Sequence, residues 1–453
     1  MTLQNRRAFL ATAAAVAAAA PALQACATAP PTANTHGLVA DPDGLLDLPP
    51  GFAYRVLSRA GEPMSDGLDT PAAFDGMAAF PLDGGRCALI RNHEIRPTAT
   101  EGGAFGADHA KAAAIDRDLI YDRAPNGRPL LGGTTTLIVD VRTLRVEQSF
   151  LSVAGTATNC AGGATPWGAW LSCEETLETA GANATKPHGF AFEVPATARG
   201  LVRPEPLVAM GRFRREAAAI DPTTGIVYQT EDEEEGLLYR FLPEAPGELA
   251  RGGRLQALAL ADWARGDTRN WRGRRIAAGA RLPVRWIDLD HVESPDGDLK
   301  ERGHARGAAL FARGEGMALA IEGGRSAIYF ACTTGGAARR GQVWRLNPGP
   351  EGDTLDLFAE SASDQQFDMV DNIVAAPWGD LILCEDGDGD NFVRGLSATG
   401  ATYAIARNAH RAKSEFCGAC FSPDGSTLFV NVQTPSRTFA ITGDWAALAR
   451  AMR

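Results

Sequence analysis

The sequence predicts an all-β fold, a six-bladed β-propeller with insertions between blades, on three observations. Fifty glycines in 453 residues, with only modest helical periodicity, favour many short strands joined by tight turns. One unit recurs along the chain: a polar or acidic residue, a short apolar strand, a Pro/Asp/Gly turn, a second apolar strand and another polar cluster. Outer-strand segments stand beside these hairpins at Thr136–Asp140, Phe190–Val194, Leu237–Phe241 and Gln342–Leu346. A jelly roll or stacked sandwich would leave the recurring polar caps without a reason.

Taken in order, residues 1–27 read as a twin-arginine export signal. Arg6-Arg7 precede Ala8-Phe9-Leu10 and an Ala-rich run that is shorter than the ~20 residues of a membrane span. Leu23-Gln24-Ala25-Cys26 resembles a lipobox, although Gln24 departs from its pattern. Two outcomes are open, a lipid anchor on Cys26 or ordinary cleavage among Ala25 to Ala27. Either way the expected location is periplasmic or extracellular, and a route that carries folded proteins lets a metal site fill before export.

Residues 28–43 read as a linker and 44–453 as a single propeller domain, with Phe52–Leu57 its first strand. The six copies begin at Asp75, Asn159, Glu216, Glu315, Asp371 and Cys417, and end at Asn92-His93-Glu94, Cys173-Glu174-Glu175, Glu231-Asp232, Cys332-Thr333-Thr334, Glu385-Asp386 and Asn431-Val432-Gln433. Residues 250–310 break the pattern. They read as an inter-blade insertion, helix-like at Ala257–Ala264 and Arg302–Ala312.

A formal net charge of -11 argues against nucleic acid as the main partner, since phosphate backbones are held by excess Lys and Arg. The expectation is a monomer acting on small molecules. Besides Cys26 there are seven cysteines, Cys87, Cys160, Cys173, Cys332, Cys384, Cys417 and Cys420, an odd number for full pairing. Cys417-x-x-Cys420 has no second pair to complete a zinc ribbon, and reads as buried strand residues or an isolated half-site.

In a propeller the two ends of each inner hairpin share one rim. The caps should therefore converge as a ring of Asp75, Asn92, Glu94, Asn159, Cys160, Glu174, Glu175, Glu216, Glu231, Asp232, Glu315, Asp371, Asn372, Glu385, Asp386, Glu415, Asn431 and Gln433. So many carboxylates cannot ionise together without cations. Oxygen donors suit calcium or magnesium, whereas the Cys160 thiolate, with carboxylates and His93, suits a transition metal. Asp386–Asn391 has the alternating Asp of a calcium loop but departs from the EF-hand pattern at Asn391 and Ser397, leaving a calcium turn or a simple polar turn. Arg91, Arg212, Arg215, Arg339, Arg340, Arg394 and Arg407 are candidates for an anionic substrate. No nucleophile elbow, His-Glu-x-x-His pair or P-loop occurs.

These motifs resemble the PhoX-type alkaline phosphatases, in order, over nearly the whole mature chain: Gly51–Arg59, Asp75-Gly76-Met77, Arg91–Glu94, Asn159–Glu175, Gly211-Arg212-Phe213, Gly225–Asp232, Glu315-Gly316-Met317, Asp371–Glu385 and Ser414-Glu415-Phe416. The resemblance implies hydrolysis of phosphate monoesters at a central cluster of iron and calcium. It implies Cys160 as the thiolate ligand of iron, and Glu174, Glu216, Glu315, Glu385 and Asp371 as ligands of iron or calcium. Asn159, Asp75, Glu94 and Glu415 are further candidate ligands from the ring, and Arg394 and Arg215 are the expected catalytic arginines. Thr158 and Arg215 depart from the family pattern, where Arg and His are expected. A calcium-dependent lactonase or other esterase, and a non-catalytic metal-binding propeller of the cell envelope, are the competing readings.

Overall fold

Antiparallel hairpins made from residues close in sequence build almost the entire molecule. The computed structural model describes residues 36–273 and 275–451, so the export signal, Cys26 and residues 28–35 of the linker lie outside the described residues. After β1 (Leu46–Asp47) and β2 (Ala53–Arg59), a four-stranded sheet runs β3 (Phe74–Leu82), β4 (Arg86–His93), β5 (Gly132–Asp140) and β6 (Arg145–Thr156) in sequence order. The next sheet is β7 (Asn159–Ala164), β8 (Ala169–Glu174) and β9 (Ala191–Pro195).

A nine-stranded sheet follows, made of two consecutive modules. The first is β10 (Arg215–Ile220), β11 (Val227–Glu231), β12 (Leu238–Pro243), β13 (Gly253–Leu260) and β14 (Arg281–Asp288). The second is β15 (Gly314–Glu322), β16 (Arg325–Cys332), β17 (Gln342–Asn347) and β18 (Thr354–Glu360), joined to the first where β14 pairs with β18. Then come β19 (Val370–Ala375), β20 (Leu381–Glu385), β21 (Phe392–Leu396) and β22 (Thr402–Asn408), with β1 on the outer edge. The last sheet is β23 (Phe416–Phe421), β24 (Thr427–Val432) and β25 (Arg437–Thr442), completed by β2. The first strands of the fold thus pair with its last two sheets, which ties the beginning of the fold to its end.

The first strands of the modules, β3, β7, β10, β15, β19 and β23, pack against one another in that order, and β23 returns to β3. The fold is a β-propeller. Small residues let the inner strands approach closely. A Cβ on Gly163 would lie 2.2 Å from the carbonyl oxygen of Ala218 in the next module, so alanine there would force the two apart. Between sheets, apolar residues on both faces are buried, as in the Leu171, Ile220, Val227 and Phe241 cluster.

That two-sided burial explains one correction. Residues 253–260 are strand β13 rather than a helix, and 281–288 are strand β14, so two strands of the nine-stranded sheet come from within residues 250–310. Leu255 and Ala257 to Leu260 are all buried, which erases the alternation by which a half-exposed strand is recognised. The helix here is α1 (Leu299–Ala305); α2 (Trp445–Ala451) ends the described chain. The seven described cysteines are buried and unpaired, Cys417 and Cys420 among them.

Candidate metal centre

Each inner hairpin breaks its ladder at the same place. The pairing jumps from Phe74–His93 to Met77–Arg91, from Asn159–Glu174 to Gly162–Ser172, from Arg215–Glu231 to Ala218–Gln229, from Gly314–Cys332 to Met317–Phe330, from Val370–Glu385 to Ile373–Leu383, and from Cys417–Asn431 to Cys420–Phe429. A β-bulge of this kind re-aims a side chain out of the pleat. The first residues in the bulges are Asp75, Cys160, Glu216, Glu315, Asp371 and Gly418. Five can ligate a cation. The sixth has φ +63°, and a Cβ there would meet the Asp75 carbonyl oxygen at 2.4 Å, so glycine is required.

A second layer of polar residues stands one position beyond the paired strand end. Backbone bonds Glu94 N to Ala73 O (2.8 Å), Glu175 N to Thr158 O (2.8 Å), Asp232 N to Arg214 O (3.0 Å) and Asp386 N to Met369 O (3.0 Å) fix these acids at equivalent places. Gln433 and Glu415 occupy the sixth, and Gln433 donates to Glu94 Oε2 at 2.8 Å. The two layers meet in three overlapping groups: Asp75, Glu94 and Cys160; Cys160, Glu175 and Glu216; Glu216, Glu315 and Asp371. Within each, donor atoms lie within 4.8 Å of one another. Cys160 and Glu216 are each shared by two groups, so they can bridge adjacent ions.

Burial, then mutual repulsion, holds these acids toward their neutral forms. Asp371, desolvated and next to Asp386, is pushed up to about 7, and Glu94 also to about 7. Burial and the neighbouring Asp232 take Glu175 to about 8, and burial takes Asp386 to about 6. Asp75, Glu216, Glu315 and Glu415 rise well above the ordinary carboxylate range for the same reasons, as does the Cys160 thiol above its own. No hydrogen bond of ordinary geometry reaches either oxygen of the buried Glu216, although the Cys160 thiol lies beside it. Two orphaned carboxylate oxygens in a buried, thiol-containing acidic cluster are the donor set of a metal centre.

Polar side chains from one module hold the bulge of the next. Asn92 Nδ2 donates to Cys160 O (3.0 Å) and Ala161 O (2.6 Å), Thr230 Oγ1 to Glu315 O (2.5 Å), Thr333 Oγ1 to Val370 O (2.7 Å) and Asn431 Nδ2 to Asp75 O (2.6 Å). Asn92 and Asn431 therefore support the ring from behind, and Asn372 accepts from Gly418 N.

Several expected site residues are not brought to the centre. Glu174 accepts from Ala157 N (2.9 Å), Gly189 N (2.9 Å), Phe190 N (3.3 Å) and His188 Nδ1 (2.6 Å), which saturates it; Glu175 takes its place. Glu385 is likewise occupied by Asp368 N, Phe392 N and Arg394 Nε. Glu231 accepts from Leu237 N (3.0 Å) and the Tyr239 hydroxyl (2.9 Å). Asn159 bonds Thr156 and Ser172, and His93 bonds Ala72 O and Thr135. Arg215 is fully buried over the Phe213 ring and bonded to Gln229, Met210 O and Gly211 O, so neither it nor Arg394 reaches the cluster. In the Asp386–Asn391 segment Asp390 is paired with Arg407 and Lys413, while Asn391 closes a turn on Gly387.

Among the described residues two cations meet the centre, neither of them expected from the sequence: Arg214, whose Nη1 donates to Glu175 Oε1 at 3.4 Å, and, more closely, Arg313. Arg313 Nε and Nη2 donate to Asp232 (2.8 and 3.0 Å) and its Nη2 to Glu315 Oε1 (2.6 Å). Its place two residues before an inner-ring glutamate was the available signal.

The family model for alkaline phosphatase PhoX matches residues 33–436. The chain belongs to the PhoX alkaline phosphatase family. Among solved structures it is similar to Pseudomonas fluorescens PhoX in complex with vanadate, a transition state analogue, with 18% identity and a TM-score of 0.64 over 88% of this chain and 96% of that one. This PhoX-family chain also matches a gluconolactonase from Xanthomonas campestris, at 12% identity and a TM-score of 0.42, over 86% and 95% of the two chains. The calcium-binding protein regucalcin from Agrobacterium tumefaciens matches at 13% and 0.40, again over 86% and 95%. No curated protein sequence matches.

Proposed function

We propose that this PhoX-family phosphomonoesterase works at a cluster of iron and calcium held by Asp75, Glu94, Cys160, Glu175, Glu216, Glu315 and Asp371. The observation that carries the reading is Glu216, whose two buried oxygens have no partner while it belongs to two candidate sites. Cys160 is the one soft donor of the inner ring and fits iron; the all-oxygen group Glu216, Glu315 and Asp371 fits calcium. Bound cations supply the charge that neutralises phosphoryl oxygens and activate the attacking nucleophile.

The chain's own residues orient the substrate. Asp232 and Glu315 hold the Arg313 guanidinium through Nε and Nη2, which leaves Nη1 to meet a phosphoryl oxygen. The Glu315 charge, foremost, keeps this guanidinium protonated. Export by the twin-arginine route, supported by Arg6-Arg7, would deliver the folded, loaded protein to the periplasm. Purification with iron and calcium followed by assay on a chromogenic phosphate monoester tests the reading: turnover that vanadate inhibits is expected. A fully loaded protein that leaves the phosphate ester intact and opens a lactone would overturn it.

A further inference from the structure

We propose that His188 is a positioning residue for the metal centre: clamped between Glu174 and Asp122, it fixes the base of the 175–190 loop and with it the inward aim of Glu175. The proposal rests on the reading of the acidic cluster as a metal site.

His188 is fully buried, with Nδ1 2.6 Å from Glu174 Oε1 and Nε2 3.1 Å from Asp122 Oδ2. Two carboxylates facing two ring nitrogens make both nitrogens donors, so the ring is an imidazolium. Asp122 is itself tied to the far end of the loop through Thr185 N (2.9 Å) and Lys186 N (3.0 Å). The His188 carbonyl accepts from Arg212 Nε at 2.6 Å, and Arg212 Nη2 donates to Leu177 O at 2.7 Å. Both ends of the loop therefore converge on one buried cation and its two acids.

The consequence for the centre follows from strand geometry. Successive side chains of a strand point to opposite sides. Glu175 directly follows β8, and its N–H bond to Thr158 O (2.8 Å) carries the pairing one residue further, so a clamp that pulls Glu174 outward leaves Glu175 facing Cys160 and Glu216, within the 4.8 Å group. Without the imidazolium, Glu174 and Asp122 become buried acids with no shared counter-charge, and the loop base must rearrange. Partners that orient ligands in this way typically change metal affinity by about 10- to 100-fold.

The full chain as His188→Asn and, more conservatively, Asp122→Asn is stripped with chelator and titrated anaerobically with ferrous iron alone by calorimetry, because Glu175 shares its group with Cys160. Bound metals are counted by elemental analysis, and melting is followed with and without iron. Weaker iron binding by about 10- to 100-fold is expected for His188→Asn, with a smaller shift in the same direction for Asp122→Asn. The gap in melting temperature between loaded and stripped forms should shrink, while Lys186→Ala in the same loop leaves it unchanged. If His188→Asn does not fold, Asp122→Asn decides. Equal loss of melting temperature in both forms with unchanged iron affinity would overturn the proposal. A wild-type chain that takes up no metal would instead remove the reading beneath it.

Discussion

Glu174 and Glu175 are neighbours of identical chemistry with opposite fates. Glu174 receives four donors and has no lone pair left for a cation, whereas Glu175 is desolvated beside other acids. A related division recurs in Glu231-Asp232 and Glu385-Asp386, whose first member accepts hydrogen bonds from its own module, while Asp232 pairs with Arg313. It teaches that these acid dyads combine two jobs. One carboxylate ties the strand end to the sheet, and the next, one residue later, enters the centre.

The sharpest way to break the contrast is at the residue without partners. Glu216→Gln removes a charge shared by two candidate sites and should lower kcat/KM by about 10³-fold or more, since each lost cation forfeits several kcal/mol of transition-state stabilisation. Metal content should fall with it, while the stripped protein melts no lower than wild type because a buried orphaned acid has gone. Glu231→Gln, in the first-member class, should keep its metal.

A paired comparison follows at the dyad itself. Glu174→Gln leaves the buried His188 cation short of one partner and should destabilise the stripped chain by about 3–5 kcal/mol. Glu175→Gln should reduce metal binding with little change in the stripped protein's stability. Chemical denaturation of both variants, with and without iron, reads the difference. Equal losses in the two variants would erase the distinction between the acids.

This distinction was only half legible in the sequence. The repeated hairpin and its polar caps announce the propeller, and the ring of caps includes the residues that converge. What pattern could not supply was register. Placing Glu174 and Glu385 at the centre is a one-residue error, which in a strand turns a side chain to the opposite face. The bulges hide in the same way: nothing in Phe74-Asp75-Gly76-Met77 says that its second residue leaves the ladder, yet in all six hairpins the residue at that place does. Arg394 and Arg215 looked available for substrate because sequence does not show that the acid or carbonyl partners beside them are already theirs.

Acidity reports on the buried acids of the centre without mutation. Unfolded carboxyl groups titrate near pH 4, whereas in the folded chain Asp386 titrates at about 6, Glu94 and Asp371 at about 7, and Glu175 at about 8. The folded state therefore holds protons that the unfolded state has lost. Stability of the stripped chain is full below about pH 4 for these groups and is lost as pH rises through 6 to 8. Calcium replaces those protons, so its addition should matter most at the alkaline end. Melting curves of stripped and calcium-loaded protein between pH 5 and about 8.5 check the sign.

The smallest effect should come from the arginines, where the same contrast appears in cations. Arg394 is consumed by Glu385 and the Asp364 carbonyl, while Arg313 spans Asp232 and Glu315 at the rim with one terminal nitrogen outside those bonds. Lysine keeps the charge but loses the planar fork. Arg313→Lys should therefore raise KM for a phosphate monoester by about tenfold, ~1.4 kcal/mol, with metal content unchanged. Arg394→Lys should leave KM alone and lower the melting temperature, because its fork serves the sheet. Steady-state kinetics on both variants at saturating metal would show whether the rim arginine or the buried one meets the substrate.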